Sequence, residues 1–188
     1  DGGSGNDSLS GGAGDDRFLV SGRYEGLDQV DGGAGYDKLE GSSGSDAFYV
    51  DSNFSNLTSV EEIDGGEGYD YVRGTEGADY LDFSTGPALT SIEEIEGGDG
   101  DDTIIGTGNN DAIDGGSGND SLSGGAGDDR FLVSGYYEGL DQVDGGAGYD
   151  KLEGSGGNDA FYVDSNFSNL TSVEEIDGGE GYDYVRGT

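Results

Sequence analysis

Aspartate recurs in this chain at a fixed distance behind paired glycines, and that spacing is where its chemistry lies. Gly2-Gly3-Ser4-Gly5-Asn6-Asp7 is followed in the next unit by Gly11-Gly12-Ala13-Gly14-Asp15-Asp16. The nine-residue frame restarts at Gly32, Gly41, Gly65, Gly74, Gly97 and Gly106, and again from Gly115. Its sixth place holds Asp7, Asp16, Asp28, Asp37, Asp46, Asp70, Asp79, Asp102, Asp111, Asp120, Asp129, Asp141, Asp150, Asp159 and Asp183. Glycines at places one, two and four are expected to take positive φ, so that a tight loop can turn its carbonyl oxygens inward. Carbonyls plus one carboxylate per loop are hard donors, the kind that a calcium ion gathers six to eight at a time. Without a cation, regular aspartates at this density would set like charges against one another.

Other chemistries are excluded by what is absent. The chain has no Cys, His, Met or Trp, which removes disulfides, thiolate and imidazole metal sites, and Cys- or His-based catalysis. Stray Gly-x-Gly stretches lack the lysine and the following helix of a phosphate-binding loop. Glu61-Glu62 and Glu93-Glu94 imitate a pair of catalytic carboxylates, but neighbours in a strand face opposite sides. Lys38 and Lys151 are expected to point outward, no nucleophile–base pair assembles, and no catalytic residue is expected. With 42 acidic against 7 basic residues the net charge is −35, which opposes binding to nucleic acid or to an anionic membrane. No apolar run is long enough to span a bilayer. The hydrophobic share of 30% is below the ~45–50% of globular chains, and on these figures alone the chain would be disordered. Yet 42 glycines, 12 tyrosines and one proline do not describe a solvated acidic tail. Something must neutralise the carboxylates before the chain folds, and a bound cation does so most simply.

The elements that carry the loops can be read from the eighth place of the frame. It is always apolar: Leu9, Phe18, Val30, Leu39, Phe48, Ile63, Val72, Leu81, Ile95, Ile104 and Ile113, continuing to Val185. Its neighbours are mostly polar, as Lys38 and Glu40 are around Leu39. That is the alternation of a very short strand with one inward side chain. Such a strand is stable only when stacked on copies of itself, which builds a parallel sheet over a narrow apolar core. Longer units interrupt the frame at 20–31, 50–64, 83–96, 133–144 and 163–177. Phe54, Leu57, Val60 and Ile63, like Leu89, Ile92 and Ile95, are expected to cap an edge of the core. A second period is superimposed: residues 1–75 recur at 114–188, differing only at Arg23/Tyr136, Ser43/Gly156 and Ser45/Asn158. Residues 1–188 thus read as one continuous solenoid, a long repeat at 1–113 and a partial second copy at 114–188. The chain opens inside a motif, so it reads as an excerpt from a longer tandem array.

The pattern Gly-Gly-x-Gly-x-Asp-x-apolar-x resembles the RTX repeat of type I-secreted bacterial proteins, over essentially the whole chain. The resemblance implies an all-β fold, a right-handed parallel β-roll with two nonapeptides per coil and Ca²⁺ between successive loops. The frame then pairs loops one coil apart, most clearly Asp16 with Asp37, Asp79 with Asp102, Asp102 with Asp120, and Asp129 with Asp150. Glu61, Glu93 and Glu174 take the sixth place in units without the double glycine, and the frame does not decide whether they hold calcium. Roughly sixteen filled gaps would add about +32, nearly cancelling the chain's own charge, and the metal-free chain should be largely unfolded.

The expected role is a calcium-binding extracellular structural repeat, a fibre, adhesin stalk or cell-surface layer segment that folds on calcium after secretion. Self-association into a rod or filament and contact with a glycan or other surface are the expected partnerships. The alternative is a secretion and folding module of a larger secreted enzyme or toxin. An ice-binding face would need a regular threonine ladder, and Thr75, Thr103, Thr107 and Thr188 are scattered. Tyr36, Tyr69, Tyr149 and Tyr182, each at the fifth place, are expected to pack over neighbouring glycine loops. The sequons at Asn53 and Asn56 are read as incidental.

Overall fold

The computed structural model of the chain describes residues 1–23, 25–135 and 138–187. Tyr136 and Thr188, named above, lie outside them. The strands are mostly three to six residues long; the six-residue ones, such as Ser8–Ala13 and Gln29–Ala34, run on through the paired glycines of the next unit before the loop turns. They form two compact units, Asp1–Thr75 with Thr85–Ile95, and Glu76–Ser84 with Glu96–Thr188.

In the first unit Ser8–Ala13 pairs in parallel with Gln29–Ala34, and that strand with Leu57–Thr58. Arg17–Leu19, Lys38–Glu40, Glu62–Asp64 and Ala88–Thr90 form a second parallel sheet. Ala47–Tyr49 pairs with Tyr71–Arg73. Registers set each apolar eighth residue on the next: Phe18 on Leu39, Leu39 on Ile63, Phe48 on Val72. In the second unit Tyr80–Asp82, Thr103–Ile105, Ser121–Ala126, Gln142–Ala147 and Leu170–Thr171 make one parallel sheet. Ala112–Ser117, Arg130–Val133, Lys151–Gly154 and Glu175–Asp177 make another, and Ala160–Val163 pairs with Tyr184–Gly187. Each unit is therefore a parallel β-solenoid of the β-roll kind. The eighth-place residues from Phe18 to Phe161 are buried, while Ile176 and Val185 are partly exposed.

The longer units do more than cap an edge. Two units per coil would place Phe48 over Val30, but Leu57 takes that place. Likewise Leu89 lies on Ile63 and Leu170 on Val143. Each of these insertions thus contributes a strand of its own and closes one stack. They also open on a buried apolar residue where a regular unit has its first glycine, namely Val50, Phe83, Val133 and Val163. That substitution is visible in the sequence and marks a second core position that frame reading passes over.

Candidate metal sites

The loops between strands stack as the strands do. Asp37 Oδ1 accepts the backbone N–H of Asp16 at 2.7 Å, Asp102 that of Asp79 at 2.8 Å, Asp120 that of Asp102 at 2.8 Å, and Asp150 that of Asp129 at 2.8 Å. These are the four pairs expected from the frame. Asp28 does the same for Asp7, Asp70 for Asp46, Asp129 for Asp111, Asp141 for Asp120 and Asp183 for Asp159. Partners lie 18 residues apart where two plain nonapeptides intervene, and 21 to 24 where one unit is longer. Glu61, Glu93 and Glu174 keep the row, each accepting through Oε2 the N–H of Asp37, Asp70 and Asp150 in turn.

One oxygen of each accepting carboxylate is thereby spoken for; the Oδ2 atoms separate the loops into two kinds. The Oδ2 atoms of Asp7, Asp16, Asp37, Asp70, Asp102, Asp120, Asp129 and Asp150 are buried and have no hydrogen-bond partner. Where serine or threonine replaces the second glycine, that oxygen is occupied. Asp46 Oδ2 accepts from Ser42 N–H at 2.6 Å and Oγ at 3.0 Å. Asp111 Oδ2 accepts from Thr107 in the same way, and Asp159 Oδ2 from Ser155. Gly-Gly against Gly-Ser or Gly-Thr is the sequence signal for this division, and frame reading treats the two alike.

The first glycine of the frame has a different reason from the one expected. Positive φ occurs at places two and four, as at Gly12 (106°), Gly14 (113°), Gly33 (101°) and Gly35 (151°), but not at place one. A Cβ on Gly32 would sit 2.6 Å from Asp37 Oδ2, and one on Gly145 2.6 Å from Asp150 Oδ2. The same volume is approached from the following coil by a carbonyl: Gly32 O lies 2.7 Å from a Cβ built on Gly11, beside Asp16 Oδ2. Gly115 O stands so over Gly97, and Gly145 O over Gly124. Over Gly32, Gly65 and Gly145 the carbonyl comes from Ser59, Ser91 and Ser172, which hold left-handed φ of 50–52°. Serine in that conformation is strained, so the longer units spend strain to present the same oxygen. A carboxylate oxygen and a carbonyl oxygen converging without a proton between them repel each other unless a cation joins them, and both are hard donors of the calcium type.

Burial acts on these carboxylates directly. It raises Asp102, Asp120 and Asp129 to about 6, reinforced by neighbouring aspartates and opposed by the amide hydrogen bonds. Burial raises Asp141 to about 7, with Asp120, Glu138 and Asp114 adding to it. Asp70 and Asp111 are raised for the same leading reason. Among the described residues no three carboxylates gather as a metal cluster, so a loop site would have to be completed by backbone carbonyls. The basic side chains stay outside the loops. Lys38 and Lys151 lie on the face opposite buried Leu39 and Leu152, as expected, and are tied down there: Lys38 bonds Asp64 at 2.8 Å and Lys151 bonds Glu153 at 2.8 Å. The fifth-place tyrosines do not pack down over glycine loops as expected. Tyr36, Tyr69 and Tyr149 are about half exposed and Tyr182 more so, and Tyr149 Oη donates to Glu175 at 2.9 Å.

A parallel β-solenoid whose double-glycine loops bury aspartate oxygens without a hydrogen-bond partner, at Asp16, Asp102 and Asp129 beside a carbonyl of the following coil, has the donor set of a metal-binding repeat protein. The chain matches the family model described as RTX calcium-binding nonapeptide repeat (4 copies) over residues 1–20, 24–53, 59–87, 94–131 and 137–166, and it belongs to that family. RTX nonapeptides bind several calcium ions per domain, and calcium is the cofactor of this chain. No curated protein and no solved structure gives a significant match.

Proposed function

We propose that the chain is an extracellular structural segment, a stalk, fibre or surface-layer element, whose solenoid forms when calcium enters its loops after secretion. The double-glycine loops hold the ions through Asp7, Asp16, Asp37, Asp70, Asp102, Asp120, Asp129 and Asp150. Asp28, Asp141 and Asp183 complete the rows; Asp46, Asp111 and Asp159 are weaker ligands because a hydroxyl already occupies them, and Asp79, behind Gly74-Thr75, is placed with them by its sequence. The observation that carries this reading is the set of buried Oδ2 atoms without a proton donor, since a buried charge so placed needs a cation or a proton. Near-identity of 1–75 with 114–188 supports a repetitive mechanical role over a module attached to one enzyme. Sites of extracellular type fill at about 0.1–1 mM calcium, which keeps the chain unfolded inside a cell and folds it outside. Far-ultraviolet circular dichroism tests this: coil in chelator, strand signal restored by millimolar Ca²⁺. Strand signal that persists in chelator would overturn it.

A further inference from the structure

Seven basic residues stand among 42 acidic ones, so a cation with no carboxylate beside it is the exception in this chain. Arg17, Lys38, Arg130 and Lys151 are all held in ion pairs. Arg23 is exposed, and none of the ion pairs among the described residues includes it. Its guanidinium lies instead 5.7 Å from the centroid of the Tyr71 ring. The backbone explains that reach. Ala47 N–H donates to Gly22 O at 3.2 Å, which sets the segment carrying Arg23 beside Ala47–Tyr49. Ala47 in turn registers with Tyr71, and its methyl group is small enough for a long side chain to cross that strand. Tyr49 Oη donates to Arg23 O at 3.0 Å and fixes the backbone from which the side chain leaves.

A guanidinium stacked on a ring uses its flat face and keeps its edge of N–H donors. That edge matches a carboxylate through two parallel hydrogen bonds. In the structure no acid among the described residues takes it, although the chain is rich in them. Beside it the half-buried rings of Tyr49 and Tyr71 give flat apolar faces with polar tips, the surface on which a sugar ring packs.

We propose that Arg23, with Tyr49 and Tyr71, binds a carboxylate-bearing sugar of an extracellular glycan. The carboxylate meets the Arg23 edge and the sugar ring lies against tyrosine. Charge complementarity selects an acidic sugar over a neutral one. An extended polyanion is still repelled by the −35 of the whole chain, whereas one sugar carboxylate feels mainly the charges within a screening length of about 8 Å. Such a partner presupposes the extracellular role proposed above and gives that role a ligand. The second copy has Tyr136 in place of Arg23, and the arginine over a ring there is Arg186, 5.9 Å from the centroid of Tyr162. The arginine proposed to bind therefore belongs to the first copy alone.

Isothermal titration of the 188-residue chain in millimolar Ca²⁺ compares a hyaluronate tetrasaccharide with the tetramer of N-acetylglucosamine, which has no carboxylate. The acidic sugar is expected to bind at least about tenfold more tightly, and Arg23→Gln to remove that preference. Arg23→Lys should restore only part of it, because an ammonium lacks the fork. Equal affinity for the two sugars, equal affinity of parent and Arg23→Gln, or no binding by a parent with full strand signal would each overturn the proposal. So would a dimer in sedimentation that Arg23→Gln dissolves, since a second copy would then be the occupant. Should Arg23→Gln fail to regain strand signal, the comparison of the two sugars on the parent decides. A parent that shows no strand signal in calcium would instead sink the reading of the loops themselves.

Discussion

At the scale of single residues, the second place of the frame decides whether a loop needs metal. Glycine there leaves the aspartate Oδ2 bare; serine or threonine satisfies it from within. Ser42→Gly turns Gly41-Ser42-Ser43-Gly44 into a double-glycine loop: it removes the hydroxyl and lets residue 42 take the positive φ of Gly33 and Gly66, in whose loops Asp37 and Asp70 Oδ2 accept no N–H, so that Asp46 Oδ2 should be freed. Dialysis should then count one more bound ion, and a number equal to the parent's would show that the hydroxyl is not what separates the loops. Protons compete for the same oxygens. In the metal-free fold Asp102, Asp120 and Asp129 sit at about 6, against about 3.9 in an unfolded chain. Between those values the folded form carries more protons, so metal-free stability falls as pH rises, and the full penalty stands above pH 6. Above pH 6 calcium supplies the charge compensation that protons supply below it. The chain, coil in chelator at pH 7.5, should therefore gain strand signal in chelator as pH is lowered to 5; a signal indifferent to pH over that range would show that burial of these carboxylates does not oppose the metal-free fold.

At the scale of elements, the frame made the strands, their stacking partners and the loop pairing legible, since a nine-residue period with one apolar place admits few other solutions. Insertions were harder, because their geometry is set by local polar contacts that leave no periodic trace. Asn56 is the clearest case. Part of a sequon, it is 1% exposed; its Nδ2 donates to Asp28 O at 3.0 Å and Tyr49 O at 3.1 Å, and its Oδ1 accepts Asp51 N–H at 3.0 Å. Val30 N–H donates to Asn56 O at 2.8 Å. Asn56 thus ends one aspartate row by answering Asp28 with a side-chain amide, and Asn169 does the same for Asp141 at 2.8 Å. Asn56→Ala strands three buried partners and should cost about 2–4 kcal/mol at saturating calcium, read from urea unfolding. A loss under about 0.5 kcal/mol, the range of a surface change, would show that the insertion is held by Leu57 and its neighbours alone.

At the scale of the whole molecule the question is whether calcium acts by site or merely by charge. The chain carries −35, and any cation atmosphere lowers the self-repulsion of so acidic a chain. Salt at 1 M shortens the screening length to about 3 Å, less than the spacing of neighbouring coils at about 4.8 Å, so repulsion between exposed carboxylates is largely removed. What salt cannot do is enter a dry loop and join Asp16 Oδ2 to Gly32 O, because a weakly held monovalent ion does not repay its dehydration with two oxygens of the protein. Among the described residues eight aspartate oxygens are bare in this way, fewer than the roughly sixteen gaps counted from the frame, so folding should saturate before the chain is neutral. The expected result is that 1 M NaCl in chelator leaves the circular dichroism of a coil, while 5 mM Ca²⁺ at the same ionic strength produces strand signal with a steep, cooperative onset, since each filled loop orders the amides that the next aspartate must bind. Strand signal in salt alone would mean that general screening suffices and that the loop geometry is a consequence of folding rather than its cause.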